Sequence, residues 1–181
     1  MNAIEREYQY IRTMRPAAAK GDVIAMYNIA AAYRILEKFP LSARWYKKAA
    51  GAGDGNAMVD WGYCLQHGVG VKKDELAAES MYRSAITSRL ITDYSREEAR
   101  YNLAVLLLGK PTPARREVRR LLRDASADGD YPEAEALLRS FNTFNPMTTC
   151  ICRRYLRPRL AKRHCPVHGP RGVRYIQSTG V

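Results

Sequence analysis

A chain of 181 residues with 46% hydrophobic and 27% charged side chains and a formal net charge of +12 is sized for one folded domain plus an appendage, and is too apolar to be a disordered polyelectrolyte. Its longest unbroken apolar run, Leu103 to Leu108, falls far short of the ~20 residues a membrane-spanning helix needs. With Met1 as the start, Glu5, Arg6, Glu7 and Arg12 occupy the place of a signal peptide's apolar stretch, so a cytoplasmic location and no stable disulfides are expected.

The first element is a helix over residues 2 to 18. After it, two stretches coincide when slid by 32 residues: "AAAKGDVIAMYNIA" from Ala17 and "AGAGDGNAMVDWG" from Ala50. In both, Gly-Asp precedes the new apolar pattern, and Asp at that position is a helix N-cap, its carboxylate accepting from the first free backbone N–H groups. Apolar residues then recur at i, i+4, i+7 and i+8 on one helical face: Ala25, Ile29, Ala32 and Tyr33; Ala57, Trp61, Cys64 and Leu65; Ala99, Leu103, Leu106 and Leu107. A weaker fourth copy begins at "DGDYPEAEALLRS", where Pro132 suits a first helical turn.

Second helices alternate with these. "SARWYKKAA", "AESMYRSAI" and "VRRLLRDAS" align so that Tyr46, Tyr82 and Leu122 share one position, and Ala49, Ala85 and Ala125 another, where a small residue lets the next helix approach. The unit is a helix pair repeated at intervals of 32 to 42 residues, which predicts an all-α fold of the α-solenoid kind. The segment "TSRLITDYSREE" makes the second interval the longer one.

The stretch "GDGNAMVDWGYCLQHGVGVKKDELAAESMYRSAI" resembles a Sel-one-like repeat, a relative of the tetratricopeptide repeat, through Gly68, Val69, Gly70, Val71 and Asp74 in its loop. The first and third units replace that loop with "ILEKFP" and "GKPTP". The resemblance covers roughly residues 17 to 141 and implies a short right-handed superhelix of antiparallel helix pairs, acting as a protein-binding adaptor without catalysis. It also implies that the first helix of each pair lines the concave groove. There, Tyr27, Asn28, Asp60, Tyr101 and Asn102 form the expected partner-binding ladder of phenols, amides and a carboxylate, against the plainer role of solvating an exposed helix face.

Residues 142–181 are different in kind. They hold eight Arg or Lys and no acid, so the body before them carries 30 − 8 = 22 basic residues against 18 acidic ones. Within this module Cys150, Cys152, Cys165 and His168 form a C-x-C and C-x-x-H set whose four donors suit a structural, tetrahedral zinc ion, with His164 as the alternative fourth ligand. Unliganded thiols and a redox pair are the competing readings; Cys64, by contrast, reads as a core thiol.

The interleaved Arg153, Arg154, Arg157, Arg159, Lys162 and Arg163 make a basic patch. Docking of an acidic protein is the first expectation for it and nucleic-acid backbone the second. No Ser-His-Asp order, Walker loop, dinucleotide fingerprint or H-E-x-x-H helix occurs, and lone His67 reads as a helix-end residue. The expectation is therefore a helical-repeat domain over 1–141 and a zinc-stapled basic module over 142–181. Its role is that of an adaptor, a regulator or an immunity-type inhibitor of a cognate protein. No enzyme activity, membrane or small-molecule substrate is expected; a zinc-containing nucleic-acid-associated factor is the alternative.

Overall fold

The computed structural model describes residues 2–127 and 131–143, and among them all regular structure is α-helical. The helices are α1 (Ala3–Ala19), α2 (Val23–Ile35), α3 (Phe39–Gly51), α4 (Gly55–His67), α5 (Glu75–Thr87), α6 (Asp93–Leu108), α7 (Arg115–Ala125) and α8 (Pro132–Thr143). From α1 to α7 each helix packs on the next, and α4 also packs on α6. The chain divides into two compact units, Met1–Ala136 and Leu137–Val181, the division falling inside α8. None of the described helices is long and apolar enough to cross a membrane.

The Gly-Asp pairs work as double punctuation. Gly21 (φ 95°) donates to the Ala18 carbonyl while Asp22 donates to that of Ala17; Gly53 (φ 98°) and Asp54 repeat the pattern on Ala50 and Ala49. These are the two bonds of a Schellman motif, which requires a left-handed residue after the helix and therefore favours glycine. Each Asp then caps the following helix, Asp22 accepting from Ala25 N at 3.0 Å and Asp54 from Asn56 N at 2.8 Å and Ala57 N at 3.1 Å. One dipeptide closes a helix and opens another.

Helix α2 ends in the same motif without a glycine. Lys38 N donates to the Tyr33 carbonyl and Glu37 N to that of Arg34, with Glu37 held at φ 56°. An L-residue there is strained by about 1–2 kcal/mol, so Glu37→Gly, after the extra chain entropy of glycine, is expected to raise stability by about 0.5–1 kcal/mol. A higher urea midpoint at unchanged slope is the check.

The loop after α4 is pressed against an earlier part of the chain. Gly70 (φ 69°) lies so close to the start of α3 that an added Cβ would sit 2.3 Å from the Phe39 carbonyl oxygen and 2.7 Å from Pro40 N. Half-buried Val69 and Val71 pack on the core beside it. Asp74 then donates its N–H to the Leu65 carbonyl and accepts from Ala77 N at 2.9 Å, opening α5.

Burial follows the two periodic faces. Ala25, Ile29, Ala57, Leu65, Ala99 and Leu103 of the first helices are buried, as are Tyr46, Ala49, Tyr82, Ala85, Leu122 and Ala125 of the second ones. Apolar transfer at ~25 cal/mol per Å² makes this alternation the main stabilising contribution. A surface network adds to it: Arg83 bridges Glu79 and Glu117 at 2.9 and 2.7 Å, and Lys110 holds Glu79 from the far side.

The long interval before the third unit resolves into two parts. Ser88 to Ile91 folds back on the start of α4, where Gly55 N donates to the Leu90 carbonyl at 2.7 Å and Asn56 Oδ1 accepts from Thr92 N at 3.1 Å. Asp93 to Glu98 then extends α6 upstream of the alanine anchor at Ala99, with Thr92 as its N-cap. A single insertion thus supplies a strap for one helix and more than an extra turn for another.

Candidate functional site

Polar side chains converge where α2, α4 and α6 present the residues next to their apolar stripes. Tyr27 and Arg34 of α2 are two turns apart on one face. Asp60 of α4 interacts with both of them, and Glu98 of α6 interacts with Asp60 and Arg34. Tyr46 reaches the same group from α3, its ring 5.7 Å from that of Tyr27 in an edge contact. Asn102, one turn on from Glu98, places its amide beside the Glu98 carboxylate.

Further along α6 three phenols cluster. Tyr131, just before α8, lies 5.8 Å from Tyr94 and 5.3 Å from Tyr101 between ring centres. Glu98 acts on Tyr131, so the acidic and aromatic parts of this surface are continuous. Tyr94 is 60% exposed, which leaves an aromatic face open to solvent.

The electrostatics are those of carboxylates short of counter-charge. Burial raises the Asp60 carboxyl above its ordinary range; Arg34 and the Tyr27 hydroxyl oppose this, and Asp54 adds to it. Glu98 is raised by burial first and by Asp60 second, again against Arg34. The Tyr27 and Tyr46 phenols are pushed up by burial and by Asp60, and the Cys64 thiol, for the same two reasons, to about 11. A thiol so placed stays protonated at neutral pH and is a poor nucleophile.

Comparing the two units side by side exposes a difference. Tyr82 of α5 stands at the position of Tyr46 in α3, and its hydroxyl donates to Gln66 Oε1 at 2.7 Å. The residue 32 positions before Gln66 is Arg34, which carries donors only. Tyr46 is accordingly left with a buried hydroxyl that has no hydrogen-bond partner among the described residues, although the residue is only 1% exposed. The Nδ2 of Asn102 is buried without a partner in the same sense.

Of the expected ladder, Tyr27, Asp60, Tyr101 and Asn102 belong to this continuous surface. Asn28, half-buried on α2, has no interaction tying it to the cluster among the described residues. Arg34, Tyr46, Glu98, Tyr94 and Tyr131 were not anticipated. Arg34 was within reach of the pattern, being seven residues past Tyr27. Tyr46 reads as pure core because its ring is core; only the hydroxyl is not. Cys64 is buried as expected, and His67, in the last turn of α4, stacks on Tyr63 at 4.4 Å.

The zinc set Cys150, Cys152, Cys165 and His168 and the basic patch at Arg153, Arg154, Arg157, Arg159, Lys162 and Arg163 lie outside the described residues. Within them, α7 adds a basic surface that sequence reading passed over, with Arg116, Arg120 and Arg123 exposed on its outer side. No protein-family model and no curated protein matches the chain, so its function is argued from these residues alone.

Proposed function

We propose that the chain is a protein-binding adaptor, regulator or immunity-type inhibitor: a short right-handed α-solenoid of the Sel-one-like type whose groove is lined by α2, α4 and α6. The observation that carries this reading is the continuous phenol, amide and carboxylate surface on three successive first helices, from Tyr27 through Asp60 to Asn102 and Tyr101. Tyrosine supplies contact area at small entropic cost, and partly desolvated polar groups supply orientation. The cluster favours binding over catalysis, because its only thiol is held protonated and its carboxylates face phenols and a guanidinium rather than a nucleophile.

Affinity capture from native cells tests it. The unsubstituted chain is expected to retain a discrete protein partner that Asn102→Ala combined with Tyr27→Ala no longer retains. Asn28→Ala serves as the milder comparison. Capture unaffected by the double substitution would remove the groove from the proposal, and nucleic acid recovered in place of protein would favour the basic module as the binding element.

In the same reading Cys150, Cys152, Cys165 and His168 hold a structural zinc ion, three thiolates and one imidazole being a closed tetrahedral set without an open position for chemistry. Zinc would cross-link the module and contribute to its folding. Purified protein is expected to contain one equivalent of zinc and to lose thermal stability in chelator; a metal-free protein with an unchanged melting curve counts against the site.

A further inference from the structure

We infer that the groove recognises a cationic side chain, arginine or lysine, presented by its protein partner and seated between Asp60, Glu98 and the hydroxyl of Tyr46. The inference deepens the docking role proposed above and rests on it.

Charge balance is the first argument. Asp54, Asp60 and Glu98 interact within one cluster, and Arg34 is the cation that their interactions name. Arg34 is itself exposed and shared between both carboxylates and two phenols, so it does not neutralise the group. The site therefore carries excess negative charge in a protein whose net charge is +12, and a surface of sign opposite to the rest of the molecule selects a partner rather than serving solubility.

The second argument is independent of charge. Tyr46 Oη is buried and unpartnered, and its strongest charged neighbours are Asp60 and Arg34. The second unit closes the equivalent hydroxyl with Gln66; the first unit keeps it open. A buried polar atom without a partner is costly, and a site that retains one is completed by a ligand able to use it. An arginine or lysine head group fits, because it brings several N–H donors for two carboxylates and a phenol oxygen at once. The open faces of Tyr94, Tyr101 and Tyr131 beside Glu98 add cation–π attraction for a flanking basic residue.

The test is selection of a phage-displayed library of random peptides about twelve residues long on the immobilised full chain, followed by fluorescence polarisation with the enriched peptides. Selected peptides are expected to share arginine or lysine at one position, and glutamine there to weaken binding at least ~10-fold. Asp60→Asn with Glu98→Gln is expected to cause a similar loss while the protein stays folded by circular dichroism, and Glu7→Gln on the exposed face of α1 to cause none. Enriched peptides lacking a basic residue, lost with Tyr27→Ala but indifferent to the carboxylate substitutions, would overturn the inference and leave the docking role intact. Acidic peptides indifferent to both sets of substitutions would place binding on another surface and overturn it as well. No enrichment over the starting library would sink the docking role and the inference together.

Discussion

Gly70→Ala is expected to destabilise the protein by about 3 kcal/mol, the largest effect of any single methyl group added to it. Two independent costs combine. The left-handed backbone at φ 69° strains any residue with a Cβ by roughly 1–2 kcal/mol. In addition, the new carbon would lie 2.3 Å from the Phe39 carbonyl oxygen, which belongs to backbone and cannot rotate away. Forcing the loop off the start of α3 adds roughly 1–3 kcal/mol and takes Val69 and Val71 partly out of the core. For a chain of this size the melting temperature should fall by roughly 6–12 °C. Thermal unfolding followed at 222 nm checks this, and Gly51→Ala, where an added Cβ meets nothing within 4 Å, is the matched comparison expected to change little. Equal melting temperatures for the two variants would mean that the loop does not pin α3.

Asp60→Asn should move stability and binding in opposite directions. The folded state holds the Asp60 carboxyl above its ordinary value of 3.8, chiefly through burial. Between 3.8 and that raised value the folded protein binds more protons than the unfolded chain, so stability falls as pH rises through the interval. Above it, at neutral pH, the full cost of the ionised group is present.

The groups that set the interval come from every neighbour. Tyr27 and Arg34 on α2, Tyr46 on α3, Tyr82 on α5, Glu98 on α6 and Asp54 and Cys64 on its own side all act on Asp60 or are acted on by it. Arg34 and Tyr27 favour the charge without overcoming desolvation, so replacing the carboxylate by an amide is a net relief. The melting temperature of Asp60→Asn is expected to exceed that of the unsubstituted protein by at least ~2 °C at pH 7 and to converge with it below pH 3.8. Glu98→Gln should behave alike. Both substitutions weaken binding of a basic peptide, the usual trade between an unstrained site and a working one. A variant less stable than its parent at pH 7 would show that the carboxylate is already paid for by Arg34.

The helical repeat was legible in the chain because its signals are local. Gly-Asp specifies where one helix stops and the next begins through bonds spanning five residues or fewer, and the apolar spacing of 3.6 specifies which face is buried. Ala49, Ala85 and Ala125 were identified as close-approach positions, and all three are fully buried. Even the unit that lacks the glycine loop keeps the local grammar, with Glu37 standing in for glycine at the cost of strain.

What the sequence determined by itself was therefore the class of the fold, the borders of most helices and four members of the polar surface, since each follows from the chain within one or two turns. What only the tertiary structure decided was how residues far apart in the chain meet. The turn added to α6 brings Glu98 to Asp60, the strap at Leu90 and Ile91 rests on Gly55, and the hydroxyl of Tyr46 stays open while that of Tyr82 is closed by Gln66. Periodicity identifies which face of a helix is apolar, but desolvation of a carboxylate or a phenol depends on the neighbours that packing brings to it, and those neighbours carry no local mark.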